Sequence, residues 1–140
     1  MRILFLDDER YRTEKFLWDI KAKTEDRIAT VATAKDCIER LEDEEWDFVF
    51  LDHDLGGKVY VDSNREDCGM EVVRHLQANK KKICCVFVHS LNEPARINMV
   101  SKLKDAGYNA MESKFTDIDW KNLHNNLQRI LANSIDTTTA

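Results

Sequence analysis

Short apolar runs recur along this chain, separated by longer stretches of helical period, and most of the runs stop abruptly at a polar cluster. Ile3-Leu4-Phe5-Leu6 ends in Asp7-Asp8, Phe48-Val49-Phe50-Leu51 ends in Asp52-His53-Asp54, and the run Ile83 to Val88 ends in His89-Ser90. Continuous apolar runs of this length suit strands buried on both faces, as in parallel sheets. A second run, Ile28 to Ala32, and a weaker fifth, Tyr108 to Glu112, complete the series, and Ser113-Lys114 follows the last. Between them lie helical patterns. Glu9 to Lys23 carries Phe16, Leu17 and Ile20 on one face. Thr33 and Asp36 form an N-terminal capping pair before Cys37, Ile38 and Leu41. Gly69 to Asn79 carries Met70, Val72, Val73 and Leu76. Pro94 opens a helix to Ala106 with Ile97, Val100 and Leu103 inward, and Gly107 stops it. Thr116 and Asp119 cap a last helix bearing Leu123, Leu127, Ile130 and Leu131. Five strand-helix units in strict alternation predict an α/β domain over residues 1–132, a five-stranded parallel sheet with helices on both faces. Residues 133–140 read as a polar tail.

Composition narrows the function classes. With 26 acidic and 21 basic residues among 140, the net charge is −5. That balance argues against an extended nucleic-acid surface or an anionic-membrane binder, since both need a basic face. No apolar run approaches the length of a membrane span, and the apolar start is too short for a signal peptide. Cys37, Cys68, Cys84 and Cys85 form no CxxC or zinc spacing and read as buried free thiols, so the expected setting is cytoplasmic and reduced. Lys80-Lys81-Lys82 reads as a solvated loop.

In open parallel sheets, ligands bind at the carboxyl ends of the strands. Here those ends hold Asp7 and Asp8, Asp52, Ser90, and Lys114, in that order. Over residues 1 to about 132 the chain thereby resembles the receiver domain of bacterial response regulators, which implies the flavodoxin-like receiver fold. The resemblance implies that the acids hold a magnesium ion, that Asp52 accepts a phosphoryl group, and that Ser90 and Lys114 contact the phosphate. Carboxylates suit a hard cation, which bridges them to phosphoryl oxygens while a lysine adds charge. The sequence departs from the receiver pattern where Asp52 is followed by His53-Asp54-Leu55-Gly56-Gly57, where His89 precedes Ser90, and where a long loop runs from Asp54 to the next helix. Leu-Asp-His-Asp-Leu-Gly-Gly together with Val-His-Ser-Leu-Asn resembles a divergent group, the cyclic-phosphate-processing receiver domains, with Asp7, Asp8, Asp52, His53, Asp54, His89, Ser90 and Asn92 at matching positions.

The expected function is metal-dependent processing of a small phosphate ester, with a cyclic nucleotide or cyclic-phosphate end as candidate substrate. Asp7, Asp8, Asp52 and Asp54 would hold a divalent ion, Mg²⁺ or Mn²⁺ foremost. Ser90, Lys114, Asn92, Gly56 and Gly57 would meet the phosphate, and Asp52, His53 and His89 would carry the chemistry. Two imidazoles at neighbouring strand ends would act as general acid and base; as metal ligands instead, they would favour Mn²⁺, iron or Zn²⁺. Alternation along the strand sets His53 opposite to Asp52 and Asp54 if the strand continues. The alternatives are a stand-alone receiver phosphorylated on Asp52, presenting a protein partner with the face of its fourth helix, and a nucleotide-binding module without turnover. Arg96, near the top of that helix, could reach an anion, although a surface arginine needs no special role. His75 and His124 receive no role.

Overall fold

The computed structural model describes residues 1–114 and 118–139, with side chains through residue 134. The elements run β1 (Arg2–Leu6), α1 (Arg10–Ile20), β2 (Arg27–Val31), α2 (Ala34–Asp43), β3 (Phe48–Leu51), α3 (Gly69–Ala78), β4 (Cys85–Val88), α4 (Glu93–Asp105), β5 (Ala110–Glu112) and α5 (Leu123–Thr139). All four strand pairings are parallel, in the order β2-β1-β3-β4-β5. This is the flavodoxin-like doubly wound sheet expected from the alternation of runs, with β3 at its centre between β1 and β4.

Side-chain alternation splits the core into two layers. Ile3, Phe5, Phe48, Phe50, Cys85 and Phe87 face α1 and α5, where they meet Phe16, Ile20, Leu123 and Leu127. Leu4, Leu6, Val49, Leu51, Val86 and Val88 face α2, α3 and α4, where they meet Cys37, Leu41, Val73, Leu76, Met99 and Leu103. The first layer is aromatic. Phe5 stacks on Phe16 at 4.2 Å between centroids and Phe50 on Phe87 at 4.8 Å. Each such buried ring adds about 2–3 kcal/mol through area alone.

Several local expectations shift. Thr33 caps α2 by accepting the Asp36 amide, as its position predicts. Leu17 and Ile97, expected inward, are 46% and 49% exposed. On α4 the inward position goes instead to Arg96, whose charge is satisfied by the Ser90 carbonyl at 2.8 Å and Glu112 at 2.9 Å. Arg96 is therefore a buried tie between α4, the β4 end and β5. Helix α5 continues to Thr139 through the segment read as a tail. A short 3-10 turn, Trp120–Asn122, precedes it, and Thr116 of the expected capping pair lies outside the described residues. All four cysteines are free.

A charged knot fastens the sheet end opposite the acids. Asp26 accepts from the Met1 ammonium at 2.8 Å and from His124 on α5 at 2.7 Å, with its side chain 2% exposed. Burial works to raise the Asp26 pKa, and the hydrogen bonds from the ammonium, the Lys23 amide and His124 outweigh it, leaving the carboxyl well below its usual range. A depressed acid adds stability that is complete above its unfolded pKa and is lost as pH falls through the folded one. Asp26→Asn is expected to cost about 2 kcal/mol at neutral pH. In denaturant titrations the gap to the parent should stay constant above about pH 4 and narrow below it. A gap that instead widened in acid would contradict this assignment.

Candidate metal and phosphate site

The strand register places three side chains in a row. Leu6 pairs with Leu51, and Leu51 with Val88. The ladder continues one step further, with Asp52 N–H donating to the Leu6 carbonyl and His89 N–H to the Leu51 carbonyl. Asp7, Asp52 and His89 thus stand next to one another on the aromatic face. The His89 ring stacks on Phe5 at 4.9 Å and its Nε2 donates to Asp7 Oδ2 at 2.9 Å. From the first turn of α1, Arg12 reaches back over the row. Its Nε donates to Asp7 Oδ2 at 2.7 Å and its Nη2 to Asp7 Oδ1 at 3.0 Å, with Asp52 Oδ2 at 3.5 Å.

Electrostatics at the row are unequal. Burial pushes the Asp52 carboxyl up to about 6; the Asp7 charge adds to this, and His89 and Arg12 pull against it. Burial also works to raise Asp7, but hydrogen bonds from His89 and Arg12 outweigh it and the net shift is downward. Asp8 leaves on the other side of the chain and accepts the Gly57 amide at 2.6 Å. Oxygens of Asp7, Asp8 and Asp52 lie within 4.8 Å of one another. A carboxyl raised by burial, and further by a neighbouring carboxylate, is one whose charged form a bound cation would favour. The donor set fits a hard divalent ion.

Above the acids is a cavity of about 180 Å³ whose lining includes Asp8, Arg12, Asp52, Lys58, Ser90 and Leu91. Small-molecule pockets usually measure about 300–1,000 Å³. This one admits an ion and a phosphoryl group, and the remainder of any larger ester would lie outside, over the rim.

The opposite face of the same strand ends is wired differently. His53 is fully buried, its Nδ1 donating to Asp54 Oδ1 at 2.8 Å and its Nε2 lying 2.9 Å from Ser63 Oγ. Burial works to lower the His53 pKa, and the contacts with Cys68 and Asp54 outweigh it and raise it. Asp54 also accepts the amides of Tyr60 and Val61 and the Asn92 side chain at 3.1 Å. Asn92 caps α4 through the Ala95 amide. Arg74 of α3 donates to the carbonyls of Ser63 and Arg65. His53, Asp54, Asn92 and Arg74 therefore pin the loop between β3 and α3 in place.

The residues expected from sequence divide accordingly. Asp7, Asp8, Asp52 and His89 gather at one point, and Ser90 lines the cavity above them. Asp54 lines the cavity too, yet its oxygens are held by the loop and it lies outside the three-acid cluster. His53 does not converge with His89, because the two lie one strand residue out of phase. Asn92 is occupied as a cap. Gly57 lines the cavity but commits its amide to Asp8, while Gly56 serves a left-handed turn at φ 75°. Lys114 is exposed after β5 and is not among the residues lining the cavity. Two cations at the cavity, Arg12 and Lys58, were not assigned there from sequence. An arginine in the first turn of the helix after an acid pair, and a lysine directly after Gly56-Gly57, are the signals the sequence offers.

A model of the cyclic-phosphate processing receiver domain family matches residues 2–105. The chain belongs to that family. The match takes in every site residue of this receiver domain except Lys114 and ends at the close of α4, before β5 and α5. No curated protein sequence matches the chain. Among solved structures, the domain is similar to a CheY-like response regulator receiver protein from Methanospirillum hungatei JF-1, with TM-score 0.65 and 14% identity, covering 97% of each chain. It is also similar to response regulator TrrA of Thermotoga maritima, solved in complex with Mg²⁺-BeF, with TM-score 0.63 and 18% identity over 92% of this chain and 97% of that one. The Mn²⁺-bound form of response regulator Rcp1 gives TM-score 0.57 and 17% identity, over 92% and 90%. At these identities the likeness shows the fold. Among the described residues, no helix is long and apolar enough to cross a membrane.

Proposed function

We propose that this receiver domain binds a divalent cation, Mg²⁺ or Mn²⁺, on Asp7, Asp8 and Asp52 and processes a small phosphate ester beside it. Three converging carboxylates, two of which, Asp8 and Asp52, line a phosphoryl-sized cavity, carry this reading. When bound, the ion supplies charge neutralisation at phosphoryl oxygens and a more acidic water. The chain's own contributions are distinct. Gly57 holds Asp8 toward the cluster, and His89 fixes the rotamer of Asp7 by donating to Oδ2. Ser90 Oγ, which accepts the Asn92 amide at 3.1 Å, keeps its proton to donate to a phosphate oxygen. Lys58 adds a positive charge at the mouth. The cavity's size favours a cyclic phosphate or an exposed phosphate end, since only the phosphate must enter.

Asp8→Asn tests this without disturbing the core, because Asp8 is the half-buried member of the three. Calorimetric titration should show Mn²⁺ affinity falling by about tenfold or more. Release of product from 2′,3′-cyclic nucleotides should stop with EDTA in the parent and drop in parallel with affinity in the variant. Turnover that survives EDTA would refute metal dependence, and an absence of turnover on every cyclic phosphate tried would refute the esterase reading.

A second reading, phosphorylation of Asp52, is favoured by Asp52 and Ser90 lining one cavity. Acetyl phosphate with Mg²⁺ separates the two: a phosphoryl acceptor gains a labile phosphoryl mass that Asp52→Asn abolishes.

A further inference from the structure

We propose that Arg12 is a resident cation of the acid cluster, which a divalent ion must displace and which then turns to the phosphate. The inference rests on the metal-site reading above and adds to it a competitor built into the chain.

Every acceptor position of Asp7 is taken. A carboxylate offers about four lone-pair directions. Oδ1 receives the Glu9 amide at 2.8 Å and Arg12 Nη2 at 3.0 Å, while Oδ2 receives His89 Nε2 at 2.9 Å and Arg12 Nε at 2.7 Å. A metal ion cannot bond Asp7 until one of these donors leaves. The Glu9 amide is backbone at the entry to α1. The His89 side chain is 1% exposed and clamped against Phe5. Arg12 is the donor free to go: its side chain is 24% exposed, and flexible methylenes hang it from a helix that need not move.

Arg12 also bridges Asp7 to Asp52, so its single charge sits among carboxylates that a divalent ion would neutralise. Positive charges brought together repel, so ion binding and Arg12 docking exclude each other. The released guanidinium has a destination close by. Arg12 lines the same cavity as Ser90 and Lys58, and its planar fork matches two phosphoryl oxygens. Lys114, which the receiver pattern assigns to the phosphate, is not part of this lining. Arg12 supplies that charge from α1 instead, and only when the metal is present.

Calorimetry on the intact chain tests the exchange, with Mn²⁺ titrated into the parent, Arg12→Gln and Arg12→Lys at fixed ionic strength. Arg12→Gln should bind Mn²⁺ about tenfold tighter or more, and Arg12→Lys should fall between it and the parent, since lysine keeps the charge but loses the fork. Without metal, Arg12→Gln should melt below the parent, and Mn²⁺ should raise its Tm by more than it raises the parent's. Inorganic phosphate should bind the Mn²⁺-loaded Arg12→Gln protein about tenfold more weakly than the loaded parent. Equal or weaker Mn²⁺ binding by Arg12→Gln, with the parent binding normally, overturns the competition and leaves the metal site standing. Unchanged phosphate binding overturns the hand-over. No Mn²⁺ binding by any of the three proteins removes the metal site and this proposal together. Should Arg12→Gln fail to fold, Arg12→Lys alone decides: Mn²⁺ binding no tighter than the parent's overturns the exchange.

Discussion

Gly69→Ala is expected to destabilise the protein by about 3 kcal/mol or more, because the added methyl has nowhere to go. A Cβ at Gly69 would stand 1.9 Å from the Asp52 carbonyl oxygen and 2.8 Å from the His53 Cα. Both obstacles are backbone, so no rotamer change relieves the clash. Helix α3 must retreat from the end of β3, and the Gly69 N–H to His53 carbonyl bond at 2.8 Å goes with it. The same substitution at Gly56 makes a sharp contrast. There a Cβ meets nothing within 4 Å, and the only penalty is the left-handed φ of 75°. That costs about 1 kcal/mol. Urea midpoints for the two variants should differ accordingly, and equal midpoints would show that α3 is not seated as described. Gly69→Ala should also weaken Mn²⁺ binding in whatever fraction still folds, since Asp52 shares its peptide unit with the displaced carbonyl.

The second large effect separates the two strand-end histidines. His89→Ala is expected to lower Mn²⁺ affinity by about 10–100-fold, the usual consequence of removing a group that orients a metal ligand. It strips Asp7 of a buried donor and Phe5 of its stacking partner. His89→Gln, which can still donate toward Asp7, should recover part of the affinity. His53→Ala should leave Mn²⁺ affinity within about threefold and act on the loop, because its partners are Asp54 and Ser63. Limited proteolysis between Gly56 and Asp67 should accelerate in His53→Ala and not in His89→Gln. An acid-base pair acting on one phosphate would give a different pattern: equal loss of turnover in both variants, with metal affinity intact in both. Finding that pattern would restore the two-imidazole mechanism.

Most of the architecture was written in the strand runs. Apolar residues at every position of 3–6 and 48–51 are needed only where both faces of a strand are covered, which dictates a parallel sheet. The division of the site needed one more step. Period two along β3 and β4 already assigns Asp52 and His89 to the Phe50 and Phe87 face and His53 to the other, once the register Leu51 to Val88 is known. The sequence carries the period but not the register. Arg12 is not legible in the sequence because a charged residue early in a helix reads as solvent-facing, and only the tertiary approach of Asp7 and Asp52 turns it inward. Arg96 shows the same physics in a buried setting. Long side chains are decided by partners far away in sequence, 16 residues on for Glu112 and 40 for Asp52. Lys114 went the other way, since a residue's place in a linear motif does not fix its distance from the cavity.

The interior position of β1, between β2 and β3, sets the order in which the site can be made. Its sheet neighbours are β2 and β3, and His89 joins Asp7 from 82 residues downstream. A chain emerging from the ribosome presents the acid pair of β1 ahead of the other strand ends, so that pair has no third carboxylate until β3 arrives and no histidine until β4 does. Contacts so distant in sequence form slowly and late. Arg12, five residues from Asp7, is available throughout. The nascent chain therefore has its own counter-ion for Asp7 during the interval in which the rest of the cluster is still being synthesised.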